Sequence, residues 1–485
     1  MIFTVPVGEY LPDQPDLANK AITATNVFPW ATGYISVPAL TAISTALTAR
    51  CQGTFFARDT SGNVFNFAGD ATKLYELAAG NSYSDVSRTV GGAYACPSDG
   101  DWEFTQWGQT VIAVNGVDAA QKITLSAANF QALGGSPPIA RHIDIIRDFV
   151  VMGNVSGTPN RVQWSAINDS EDWTPSATTQ SDFQDIANSG WVQKIIGGEY
   201  GLVFGEYGVW RMTYVGGAVI FQFDQIEKRR GLYAPQSAIG HGNFTFYLSD
   251  DGFYMTAGAG NSIPIGDGKI DRTFLNDLQS ANYFRISAAI DPIRKLYLVA
   301  YPGSGASGGN PNKILAYNWV YKKWAGPISV DVEVLARFAS LGYTLDGLDA
   351  VSSSIDALSH SLDSRVWTGG AQTLAAFNTS HKLGTFSGTA MDATVDTGEV
   401  QHFQGRRAHV NHIRPIVDSN AASITLGTRN RQADTRSYGS ASSQASDGHC
   451  DVRSNARYHT YRIGTTGSFS FIEGVEVNAE PGDLR

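Results

Sequence analysis

Short apolar and aromatic runs alternate with turn residues between Ile195 and Gly258. The runs cover residues 200–204, 209–214, 219–223, 244–248 and 253–256. Gly205 and Glu206, Gly216 and Gly217, and residues 249–252 (Ser-Asp-Asp-Gly) separate them. Runs of four to six aromatic and β-branched residues bounded by Gly and Asp predict strands. Asp-Gly and Gly-Gly tolerate positive φ, so they predict tight hairpin turns between those strands.

The same grammar recurs on both sides. Residues 54–77, 102–116, 143–154, 286–303 and 313–327 each read as strand, turn, strand. The units start near 54, 102, 143, 196, 240 and 286, and such spacing matches one four-stranded propeller blade. The expectation is an all-β chain: a β-propeller-like repeat body followed by a C-terminal β-sandwich, with an extended N-terminal arm. Five or six blades are expected, with a flat double sandwich as the alternative. Residues 1–50 hold Pro6, Pro12, Pro15, Pro29 and Pro38 and predict an extended arm. Residues 51–345 form the propeller-like domain. Residues 346–370, rich in Ser and Asp, break the pattern as a linker or crossover. Residues 371–485 form the sandwich, with clear alternation at 422–429 and 468–477. The Gly/Ser/Asn loop 302–312 is expected to be exposed and mobile.

Composition adds a surface argument. Charged residues make up only 16% of the 485, so part of the surface is expected to lie against other subunits. The net charge of −10 is uneven. Residues 401–485 hold ten arginines, no lysine and eight acids, a net of +2, which leaves −12 on the first 400. An acidic body does not wrap nucleic acid by neutralising phosphates, but it suits a surface that DNA slides past. An all-arginine tail suits bidentate pairing with carboxylates at interfaces. Cys51, Cys96 and Cys450 are far apart and odd in number, which predicts reduced thiols and no metal pair. No signal peptide is read at the N-terminus, and no apolar run approaches the 18 residues of a membrane helix.

Candidate chemistry is sparse, and no catalytic, cofactor-binding or metal-ligating residue is assigned. Five of nine histidines lie late, at His402, His409, His412, His449 and His459. His409 and His412 are three apart, and on a regular strand such residues face opposite ways. The basic run Glu227, Lys228, Arg229, Arg230, Gly231 is read as a turn or subunit contact. Residues 265–270 lack the glycine spacing and the Ser or Thr of a phosphate loop. Asp59 to Asn63 reads as a hairpin turn, without the glutamate of a calcium loop. Asp169, Glu171 and Asp172 are neighbours in a loop and define no acid/base pair across a pocket. Trp164, Trp173 and Trp210 are expected to pack between blades; exposed, they would form a glycan platform.

Four segments carry a resemblance. WSAINDSEDWTP, GLVFGEYGVWRMTYVGG, LDGLDAVSSSIDALSHSLDS and GRRAHVNHIRPIVDS…RYHTYRIGTTGSFSFIEGVEVNA, in that order, resemble the tail nozzle proteins of short-tailed phages. These are also called tail hub, tail tubular or packaged-DNA stabilisation proteins. The resemblance covers most of the chain from about residue 50 to 480. It implies a homo-hexameric ring below the portal and head–tail adaptor, assembled in the host cytoplasm as part of the virion tail. It also implies a propeller in each subunit, a channel that retains and releases double-stranded DNA without reading its sequence, and docking surfaces for fibres or spikes. It brings no catalytic residue and no cofactor. The alternative expectation is a glycan-binding or glycan-cleaving propeller of a receptor-binding protein.

Overall fold

A computed structural model describes residues 1–78, 80–258, 260–342, 354–357, 370, 372–419 and 421–483. Seven antiparallel four-stranded units are arranged as successive blades, the sixth being part of a larger sheet. Their first strands are Gly53–Arg58, Glu103–Trp107, Ala140–Ile146, Val192–Ile196, Ile239–His241, Ser287–Asp291 and Val332–Ala339. Neighbouring blades share a core. The second strand of the second blade, Thr110–Val114, shows why: Val111 and Ala113 pack toward the first blade, Ile112 and Val114 toward the third. A strand buried on both faces reads as a continuous apolar run rather than an alternating one.

The ring closes between the seventh blade and the first. Asn66 of the first blade donates to the Ala339 carbonyl and accepts from the Ala339 N–H. Phe338 and Phe377 share a core with Leu77 and Cys51. The blade count therefore corrects the expected five or six. The seventh blade was hidden because its four strands come from three places: Val332–Ala339, then Gln372–Asn378 and Lys382–Ala390, then Pro38–Ala46 from the N-terminal side. The boundaries drawn at 51 and 371 move accordingly, since both 38–46 and 372–390 are propeller. The expected linker 346–370 lies outside the described residues, apart from 354–357 and Gly370.

The sandwich packs two sheets over one core. In the first, Ala408–Val417 lies between Cys450–Ala456 and Ile472–Pro481, and Ile2–Pro6 pairs with the latter. In the second, Tyr458–Thr465 lies between Ala393–Thr397 and Ala422–Arg429. The second sheet is continuous with the sixth blade. Ala21–Thr25 bridges them, with Ala24 opposite both Gly326 and Val395. Residues 1–46 therefore thread through the sandwich, the sixth blade and the seventh.

Turns follow the Asx grammar of the sequence. The side chains of Asp59, Asp70, Asn115, Asp291, Asn318 and Asn378 accept backbone N–H groups two to four residues on. The loop 302–312 is partly exposed but tied down. Arg285 donates to the Gly308 carbonyl at 3.0 Å and to Asn310 at 2.5 Å, and Asn312 bonds Gly303.

Candidate functional site: the axial cavity

The first strands of the blades surround a cavity of about 690 Å³. This lies inside the usual span for small-ligand pockets, roughly 300–1,000 Å³. Its wall needs glycine where two strands meet. A Cβ on Gly197 would strike the Ile145 carbonyl, while the Gly197 N–H donates to Asp144 at 2.8 Å.

A charged cluster crosses three consecutive blades at this wall, and the turn leading into the fifth joins it through Gln236. Glu103 accepts from Lys194 at 2.6 Å, bonds His142 at 2.9 Å and accepts from Gln236 at 3.1 Å. Glu103, His142 and Lys194 are 5–7% exposed. Burial works against the Glu103 carboxylate, but Lys194 and His142 outweigh it and hold its pKa at about 2. Two further acids line the cavity. Burial raises Asp144, against the N–H groups of Gly197 and Ile145. Burial pushes Asp101 up to about 7, against the pull of Arg50. Aromatic rings complete the wall: Phe55 stacks on Phe104 at 6.1 Å and on Phe56 at 6.4 Å. The signal for the cluster was present in the sequence as charges set inside apolar strand runs, Glu103 in WEF, His142 in RHI and Lys194 in QKII.

The residues singled out from the sequence fall elsewhere. Trp164, Trp173 and Trp210 are 3–6% exposed and pack in the cores that join the third blade to its neighbours. Asp169 and Asp172 accept N–H groups of their own turns, and Glu171 pairs with Lys122. Lys228, Arg229 and Arg230 lie exposed at the turn between the fourth and fifth blades, with Arg230 bonded to Asp251. Lys269 reaches Glu9 at 2.7 Å and the Lys322 carbonyl, so it ties the arm down. The Asp59 carboxylate is used by Ser61 and Asn63 of its hairpin. All three cysteines are buried and free, and burial pushes the Cys51 thiol up.

The histidine geometry corrects one expectation. A bulge falls between Val410 and His412, so the register slips by one. His409 then sits opposite Glu480 and His412 opposite Asn478, on one face of the sheet. His412 pairs with Asp451 at 2.8 Å. Among the described residues no group of three or more metal-ligating side chains is placed to hold an ion. His402 and His459 are different. Their rings lie 5.7 Å apart inside the sandwich, and each Nδ1 is buried without a hydrogen-bond partner. Burial lowers their pKa to about 4 and about 3.

The fold and cavity define a class, a seven-bladed β-propeller carrying a β-sandwich. No family model matches the chain, and no curated protein matches it. Solved structures with some likeness include YCF48 bound to D1 peptide, at 11% identity and TM-score 0.38, covering 62% of this chain and 92% of that one. The Pan2 WD40 domain of Neurospora crassa matches at 8% identity and TM-score 0.38, covering 64% and 90%. YCF48 from Cyanidioschyzon merolae matches at 11% and 0.37, covering 62% and 93%. The propeller assignment rests on the sheet order and shared cores, not on these likenesses. Among the described residues no helix is long and apolar enough to cross a membrane.

Proposed function

We propose that the chain is a structural virion protein, one subunit of the ring-shaped nozzle or hub of a short phage tail. The observation that carries the reading is the ordered set of resembling segments, which fall on separate parts of the body. WSAINDSEDWTP begins at the end of the third blade's third strand, and GLVFGEYGVWRMTYVGG includes the two middle strands of the fourth. The last pieces supply Ala408–Val417, Tyr458–Thr465 and Ile472–Pro481 of the sandwich. A body in which one arm ties propeller to sandwich would suit a part that must resist the pressure of packaged DNA. The axial cavity is far too small for a duplex, so DNA would pass along the axis of a homo-hexamer, between copies. Its lumen would be acidic, so that phosphates do not stick. The ring would sit on the head–tail adaptor, carry fibres or spikes, and retain and then release the genome.

The test is the mass and image of the purified chain with and without its adaptor. A six-fold ring with an axial hole supports the reading; a chain that stays monomeric beside the adaptor sinks it. A lumen lined mainly by lysine and arginine would sink the acidic-lumen part alone. The receptor-binding alternative loses its platform, because the three tryptophans proposed for it are buried.

A further inference from the structure

We infer that the axial cavity binds a short, neutral oligosaccharide. The inference stands on the cavity and does not need ring assembly. Three features of the wall lead to it. First, the volume of about 690 Å³ suits a compact ligand and not a polymer. Second, the polar groups are of mixed sign. An anion entering would meet Asp101, Glu103 and Asp144; a polycation would meet Lys194 and Arg337. A neutral polyhydroxyl ligand meets no like charge and uses both kinds of partner, because each hydroxyl both donates and accepts.

Third, the wall offers hydrogen-bonding capacity beside an apolar face. Lys194 has three N–H donors and directs two, to Glu103 and Gln236, which leaves one for a ligand. Asp101, with its pKa near neutrality, serves as donor or acceptor according to its proton. Phe55 and Phe56, both partly exposed, line the cavity and offer aromatic surface to a pyranose, with buried Phe104 stacked behind Phe55. Three first strands supply the lysine and the rings, and Asp101 lies two residues before one of them, so the ligand would sit mostly on rigid elements. The three buried tryptophans are thus not where a sugar would bind; the axis is.

The experiment titrates the full chain with chitotriose and with maltotriose, by calorimetry and ligand-observed NMR. Spermidine and a galacturonate trimer serve as cationic and anionic probes. At least one neutral trisaccharide is expected to bind with a Kd of about 1 mM or tighter. Phe56→Ala should weaken it about fivefold, the scale of one lost aromatic contact. Gln372→Ala, at an exposed position on the same wall, should weaken it about threefold, the scale of one hydrogen bond. The second variant keeps the test alive should the first not fold. The inference is overturned if neither neutral sugar binds, if only a charged probe binds, or if sugar binding is unchanged in the folded variants. Ring formation would be untouched by any of these outcomes, so this failure is distinguishable from failure of the nozzle reading.

Discussion

Arg436 donates to Asp16 at 2.9 Å across 420 residues of sequence, joining the sandwich to the N-terminal arm. Arg429 lies beside it and grips Glu399 with two bonds, at 2.6 and 2.7 Å. Arg462 grips Asp396 the same way, at 2.8 Å twice. Planar guanidinium groups fit carboxylates with two parallel bonds, which lysine cannot do. The arginine-only composition of the tail thus has a structural use inside the subunit.

Glu399 is the member of this cluster whose loss should matter most. Its side chain is 1% exposed and it neutralises Arg429. Glu399→Gln should cost about 3 kcal/mol, because a largely buried guanidinium is left with only Asp16, at 3.5 Å, as its charge partner. Asp16→Asn, at a half-exposed carboxylate, should cost about 1 kcal/mol or less. Urea unfolding of the three chains checks the order; equal losses would mean that burial does not set the effect.

The arm is also a core element. Phe28 is 1% exposed and packs with Leu298, Ile328 and Leu374, between the sixth and seventh blades. Phe28→Ala should cost about 3–5 kcal/mol through lost transfer energy and a cavity. Trp30→Ala, at a partly exposed ring two residues on, should cost far less. Thermal unfolding of both variants tests whether the arm is structural or merely laid on the surface.

The buried histidines make a pH prediction. His402 and His459 titrate well below the ordinary value of 6.5 because burial disfavours the imidazolium. A depressed folded pKa means that their contribution is complete above about 6.5 and is lost as pH falls toward about 4 and then 3. The raised acids Asp101 and Asp271 act in the opposite sense, gaining as pH falls below about 7. The comparison must therefore be between variants. His459→Gln should unfold at a temperature that depends less on pH between 7 and 4 than the parent does. Parallel curves would remove the histidines from the account.

Glu103 carries the charge balance of the cavity wall. Glu103→Gln should destabilise the propeller by about 3–5 kcal/mol by leaving Lys194 buried without its counter-charge. Replacing both, as Glu103→Gln with Lys194→Met, should recover part of that loss. Denaturant midpoints of the single and double variants decide it; a double variant worse than Glu103→Gln would show that the pair is not the controlling contact.

Much of the propeller was legible because its turns are spelled locally. The expected starts near 54, 102, 143, 240 and 286 fall within three residues of observed first strands, and 196 is the last residue of its own. Gly108, Asp59 and Gly252 mark hairpins by their own chemistry. The seventh blade was not legible, because pairing between Lys382–Ala390 and Pro38–Ala46 leaves no local mark. The bulge at Asn411 was equally silent, and it reversed the reading of His409 and His412. The axial cluster could have been found: a Glu, a His and a Lys set in apolar strands one blade apart are costly unless they meet.

The strand Pro38–Ala46 has a consequence for how the chain is made. It leaves the ribosome about 340 residues ahead of Lys382–Ala390, which at about 5–20 residues per second is a wait of roughly 20–70 s. Ile2–Pro6 waits longer still, for Ile472–Pro481. Both of these N-terminal strands therefore stay unpaired until their late partners are made. The first six blades can form in order of synthesis, but the seventh is complete only when Lys382–Ala390 captures Pro38–Ala46. A chain cut off before residue 382 would carry a half-built seventh blade, with bare strand edges ready to pair with a neighbouring chain.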